Sequence, residues 1–205
     1  KEIKYSQSSV IVLFNLEKIK STIVLWLSFF LSFAALYFLT SWIPKIAAIS
    51  GMSASLAIYA GILFNMGALF GIIFQGYLSA KFGLKNIICY FLLGTAVLMI
   101  LFGFVKDPFF LLLLFCLIGF GIQGGFIGLY AVAAKLYETE IRSTGIGWAI
   151  GFGRLGAIIG PFLGGILISQ GISISLNFTF FAIPVFIAAV ATLFIQLKKE
   201  VAYEK

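Results

Sequence analysis

Six long apolar runs, at residues 23–43, 56–78, 87–105, 109–134, 145–168 and 176–197, leave this 205-residue chain few folds to choose from. About 20 residues at ~1.5 Å rise cross a hydrocarbon core of about 30 Å. Lipid offers no partner to a backbone N–H or C=O, so spans of this kind are expected to be helices, whose hydrogen bonds are internal. A β-barrel would instead show alternating segments of about ten residues. The expected fold is an all-α membrane protein, a bundle of six transmembrane helices within residues 22–197. Residues 1–21 lead into it and residues 198–205 form a short tail; the breaks between runs are too short to be domain linkers. Composition agrees, with 62% of residues hydrophobic and 10% charged, against about 25% charged in soluble domains.

The same scarcity of polar groups narrows function. With no His, two Cys and seven acidic residues, the chain offers no metal cluster and no nucleophile–base pair, so neither an enzyme nor a bound cofactor is expected. The net charge of +7 has a topological reading. Lys1, Lys4, Lys18, Lys20, Lys81, Lys85, Lys135, Arg142, Lys198, Lys199 and Lys205 all fall on one side of a six-span path, and only Lys45 and Lys106 on the other. Basic loops mark the cytoplasmic face, so both termini are expected there, in what would be a bacterial inner membrane. No nucleic-acid partner is implied. Residues 10–20 mix Val10, Ile11, Leu13, Phe14, Leu16 and Ile19 with Glu17, Lys18 and Lys20, a pattern that suits a short helix lying in the membrane interface.

The residues that hydrocarbon rejects carry the functional information. Arg154 lies about ten residues into the fifth run, roughly 15 Å deep by helix rise and near the midplane, where a cation costs on the order of 3 kcal/mol. No Asp or Glu lies within any run, so its counter-charge comes from another part of the protein, another chain or an anionic ligand. Snorkelling or pairing with helix carbonyls is the structural alternative. Asn65 and Gln123 lie midway along the second and fourth runs. Their amides need partners that lipid lacks, either across a helix interface or in a wet cavity; with Arg154 they suggest a central polar pocket. Phe33 and Tyr37, four apart on one helix face, can stack on an aromatic ligand or simply pack. Gly147-xxx-Gly151 and Gly156-xxx-Gly160-xxx-Gly164 allow close backbone approach, and Pro161 can bend the helix.

The loops resemble a known family. Gly76-Tyr77-Leu78-Ser79-Ala80-Lys81-Phe82-Gly83-Leu84-Lys85 resembles the G-x-L-a-D-r-x-G-r-k loop of the major facilitator superfamily, with Ala80 in place of the acid. Tyr137-Glu138-Thr139-Glu140-Ile141-Arg142-Ser143-Thr144-Gly145 resembles its Y-P-T-x-x-R-x-x-G loop, with Glu138 in place of Pro. Gly153-Arg154-Leu155-Gly156 through Gly160-Pro161, and Leu25-Trp26 through Tyr37-Phe38 to Pro44, resemble helices eleven and seven of the aromatic acid:proton symporters.

The resemblance implies helices seven to twelve of a twelve-helix transporter, one 3+3 inverted repeat, with a six-helix N-terminal half outside this chain. It implies proton-coupled uptake of a small aromatic carboxylate by alternating access, Arg154 meeting the carboxylate or an acid of the other half. Gly147-x8-Gly156-xxx-Gly160-Pro161-xx-Gly164-Gly165 also fits the signature of drug:proton antiporters, the alternative within the superfamily; another organic-anion symporter is a further one. A half-length chain that pairs with another half, or acts as a regulatory subunit, is the reading from a different class. The expected ligand site is Arg154, Gln123, Asn65, Tyr37 and Phe33. Gly156, Gly160, Pro161 and Gly164 are expected to serve packing and movement, and Gly76, Lys81, Gly83, Lys85 and Arg142 the loop motifs.

Overall fold

The computed structural model describes Leu13 and residues 18–197. Among them run six α-helices: α1 (Ile19–Ile49), α2 (Ala54–Phe82), α3 (Leu84–Leu101), α4 (Pro108–Leu136), α5 (Arg142–Ser169) and α6 (Ile174–Leu193), with a single 3-10 turn at Phe102–Phe104. All six elements are long and apolar enough to cross a membrane, the third with its 3-10 turn included. Most of the interfacial helix expected at residues 10–20, and the tail at 198–205, lie outside the described residues.

Two boundaries differ from the sequence reading. The break expected at Pro44 is absent: α1 continues through it to Ile49. A proline removes one backbone donor and frees one carbonyl, and membrane helices tolerate this where neighbouring groups take up the slack. At the other end, α6 stops at Leu193 rather than reaching Leu197. There Lys85 Nζ donates to the carbonyls of Leu193 (3.1 Å) and Ile195 (2.8 Å), and the Gln196 N–H donates to Ser21 Oγ at 3.0 Å. A cation on the last carbonyls of a helix meets both their unsatisfied acceptors and the negative end of the helix dipole.

Local chemistry sets the other ends. Asp107 caps α4, its Oδ1 accepting from Phe109 N at 2.9 Å and Phe110 N at 3.3 Å, with Pro108 at the first helical position. Ser53 and Ser173 cap α2 and α6 through their hydroxyls. Between α2 and α3 the chain reverses at Gly83, whose φ of 92° lies in the region that side chains disfavour.

Packing follows a repeating plan. α1 packs chiefly on α5 and α2 on α4, while α3 and α6 lie against each other and against α4 and α1 respectively. At both principal contacts glycine lets backbones touch. A Cβ at Gly156 would strike the Phe30 carbonyl, and one at Gly160 the Ala34 carbonyl; at Gly67 and Gly71 it would strike the carbonyls of Cys116 and Phe120. Without a hydrophobic drive between helices in lipid, such close approach supplies the van der Waals contact that holds them. Aromatic side chains fill the remaining core, Phe38 stacking on Phe181 and Phe102 on Phe178 with centroids 3.9 Å apart in each pair. The outer faces expose Ile58, Leu69, Phe70, Phe74, Ile158 and Phe162, an apolar surface suited to lipid or to other apolar helices. The chain is a multi-pass membrane protein.

One end of the bundle is basic and interlocked. Lys18 pairs with Glu138 at 2.8 Å, joining the start of α1 to the α4–α5 loop. Tyr137, 1% exposed, lies beneath that loop: the Trp26 indole N–H donates to its hydroxyl at 3.3 Å, and its ring fills the space beside Gly145. Arg142 Nε donates to the Tyr137 carbonyl at 3.4 Å.

Candidate functional site

Arg154 lies 12 positions past the first residue of α5, about 18 Å from the basic end by helix rise. Its side chain is exposed on the six-helix surface and forms no ion pair among the described residues. The neighbouring Gly153 fixes what it sits beside. A Cβ there would strike the Phe33 ring, so Phe33, 4% exposed, is driven against α5 directly below the arginine.

Phe33 belongs to an aromatic wall spanning α1 and α4. Its ring lies 4.6 Å from Phe126 and 5.8 Å from Tyr37, while Phe29 lies 5.1 Å from Tyr130 and Phe126 lies 5.5 Å from Tyr130. Most of these contacts are edge-on or tilted, the arrangement that ring quadrupoles favour. The wall ends in two phenols, and the Arg154 guanidinium and the Tyr37 hydroxyl both lie within electrostatic reach of the Tyr130 hydroxyl. Arg154, Tyr130, Tyr37 and Phe33 thus form one group: a cation, two hydroxyls and a ring face, open on the side away from the bundle core.

The structure does not bring Asn65 into that group. Asn65 is exposed on α2, its Nδ2 donating to the Gly61 carbonyl of its own helix at 2.8 Å. It lines a separate groove of about 570 Å³ with Pro44, Ile58, Gly61, Ile62, Met66 and Leu69. Gln123 is half-buried on α4, beside Gly124 and Gly125, which carry the contact with Phe91 and Leu92 of α3. Arg154, Asn65 and Gln123 therefore share a depth rather than a cavity within this chain. A further groove of about 550 Å³ lies along α5, walled by Trp26, Trp148, Phe152 and Leu155 and floored by Gly147 and Gly151.

Tyr130 and Phe126 were not singled out in the sequence. Both lie in an apolar run, where an aromatic residue reads as packing, and only the meeting of α1, α4 and α5 gives Tyr130 a cation for a neighbour. The glycines of α5 face α1: Gly156 and Gly160 meet its backbone, Gly164 meets the Phe38 ring, and the Trp42 indole donates to the Pro161 carbonyl at 3.0 Å. Of the loop-motif residues, Gly83 makes the reversal and Lys85 caps α6; Lys81 lies over the Phe82 ring at 5.3 Å, Arg142 secures the Tyr137 loop, and Gly76 faces open space.

Comparison with known proteins agrees with this architecture. The chain is 33% identical over 191 residues to the benzoate transport protein of Acinetobacter baylyi, an alignment covering 93% of this chain and 41% of that protein. It is 30% identical over 181 residues to the 4-hydroxybenzoate transporter PcaK of the same organism, covering 88% and 40%. It is 32% identical over 173 residues to the gallate transporter of Pseudomonas putida, covering 84% and 38%. The chain spans about two fifths of the length of these relatives, which are named as transporters and not as enzymes. Residues 25–204 match the family model of the Major Facilitator Superfamily; with six membrane-length helices and half of that fold, the chain belongs to this superfamily.

Proposed function

We propose that this chain is the C-terminal six-helix half of a proton-coupled importer of small aromatic carboxylates, with Arg154 as the carboxylate clamp. The observation that carries the reading is the placement of Arg154. It is a cation near mid-membrane with no ion pair among the described residues, beside two phenols and an aromatic wall. A carboxylate supplies the charge that Arg154 lacks, through a charge-assisted hydrogen bond. An aromatic ring is the group that Phe33 and Tyr37 receive. The names of the relatives, transporters of benzoate, 4-hydroxybenzoate and gallate, support the same substrate class.

Alternating access requires a second body against which this bundle rocks, with the site between the two. The exposed position of Arg154 suits a site completed by another six helices. No helix of this chain carries an acid, so the proton-coupling carboxylate belongs to that other half. Gly156, Gly160, Pro161 and Gly164 keep α5 against α1 while the halves move. The basic end is the cytoplasmic one, and the membrane is the bacterial inner membrane.

The test is Arg154→Gln in the complete protein, reconstituted in proteoliposomes. Uptake of benzoate driven by an inward proton gradient should show a KM raised at least about tenfold, the loss of one charge-assisted contact. Unchanged KM would remove Arg154 from the site. Efflux of lipophilic cations with no uptake of aromatic acids would favour the antiporter reading instead.

A further inference from the structure

The glycine contacts do more than hold helices together; they give the register of an internal repeat. Gly67 of α2 meets Cys116 and Phe120 of α4, and Gly156 of α5 meets Phe30 and Ala34 of α1. Gly71 meets Phe120, and Gly160 meets Ala34, through the same backbone atoms. Phe64 meets Gly119, and Gly153 meets Phe33. All three pairs of contacts superpose under a single register, in which α2 positions 64, 67 and 71 correspond to α5 positions 153, 156 and 160. Likewise α4 positions 116, 119 and 120 correspond to α1 positions 30, 33 and 34. The offsets are constant, 89 between α2 and α5 and 86 between α1 and α4, as a rigid pseudo-twofold demands.

Extending that register by one residue places Asn65 at the position of Arg154. Extending it to the next turn places Gln123 at the position of Tyr37, and Pro44 at that of Tyr130. An independent observation checks the extension. Tyr130 lies beside Arg154, and their counterparts Pro44 and Asn65 line one groove. The two grooves obey it too: Ile58, Ile62 and Met66 of one correspond to Gly147, Gly151 and Leu155 of the other. Every polar residue that stands out near mid-membrane thus belongs to one of two equivalent niches. One holds a cation and two phenols; the other holds two neutral amides.

We infer that Asn65 and Gln123 determine specificity: they receive the end of the aromatic acid opposite its carboxylate and select a hydroxyl there. This rests on the carboxylate-clamp reading of Arg154. A carboxylate takes the charged niche, since a neutral amide cannot offset its desolvation. The other niche, across the pseudo-twofold, offers amide donors and acceptors, which match a hydroxyl and discriminate against bare C–H, because an amide buried against C–H is left unpaired. The Asn65 amide donates to Gly61, which leaves its oxygen free to accept from a substrate hydroxyl.

The experiment compares 4-hydroxybenzoate with benzoate in competitive uptake by the complete protein in proteoliposomes. Asn65→Leu and Gln123→Leu should each lower the preference for 4-hydroxybenzoate about tenfold, the loss of one hydrogen bond, with benzoate uptake retained. An unchanged ratio, or equal losses for both acids, overturns the inference. Two variants on different helices keep a folding defect in one from deciding the matter. Arg154→Gln, measured alongside, separates the two readings: it should weaken both acids equally, and its failure to do so overturns the clamp whatever Asn65 does.

Discussion

The carbonyl oxygen of Phe30 occupies the space that a side chain at Gly156 would need. Helices α1 and α5 are therefore in backbone contact, and any Cβ at position 156 must push them apart. Gly156→Ala and its repeat counterpart Gly67→Ala should each destabilise the bundle by about 1–3 kcal/mol, the cost of overpacking against a rigid backbone. Gly94, which faces open space on α3, is the control: Gly94→Ala should be neutral or stabilising by up to about 1 kcal/mol. Thermal unfolding in detergent reads all three, and equal effects at 156 and 94 would contradict the contact.

Lys85 joins two distant ends of the chain through the carbonyls of Leu193 and Ile195. Lys85→Met should cost about 1–2 kcal/mol, the value of a partly buried charged contact with a helix C-terminus. Lys81→Met, whose ammonium lies over a ring at the surface, should cost under about 1 kcal/mol. Limited proteolysis after residue 193 should quicken in the first variant and not in the second.

Alkali should loosen the basic end through Tyr137. Burial, the larger influence, pushes its phenol above the ordinary 10.0, and hydrogen bonds with Thr22 and Trp26 act the other way. A raised folded-state pKa means that the neutral phenol is favoured in the fold. Its contribution is complete below pH 10 and is lost as pH rises through the higher folded value. Tyr137→Phe should lose about 1 kcal/mol at neutral pH and lack this alkaline step. Phenolate absorbance followed against unfolding gives the measurement.

Tyr130 should tune binding without holding the fold. Tyr130→Phe keeps the ring against Phe29 and Phe126 and removes only the hydroxyl near Arg154. The expected result is a KM for benzoate raised about fivefold, near 1 kcal/mol, with unfolding temperature unchanged. A fall in stability with no change in KM would make Tyr130 a packing residue.

Six helices and their order were legible because membrane helices answer to a local rule: about 20 apolar residues between polar ends. The same rule exposed Arg154, Asn65 and Gln123, since a polar group in such a run stands out wherever it points. It failed at Pro44, where one missing donor did not end α1, and beyond Leu193, where Lys85 and Ser21 take over the backbone groups. What the sequence could not state is rotation about each helix axis. A helix apolar on every side carries no stripe to mark its inner face, so Tyr130 and Phe126 looked like any other aromatic residues. Rotation is set where glycines let one backbone touch another, Gly153, Gly156 and Gly160 on α1 and Gly67 and Gly71 on α4. Those contacts join positions some 50 to 130 residues apart, and they put Tyr130 beside Arg154 and Asn65 beside Pro44. The chain's own residues determined that it crosses a membrane six times and carries one deep cation; only the tertiary packing decided which neighbours that cation has.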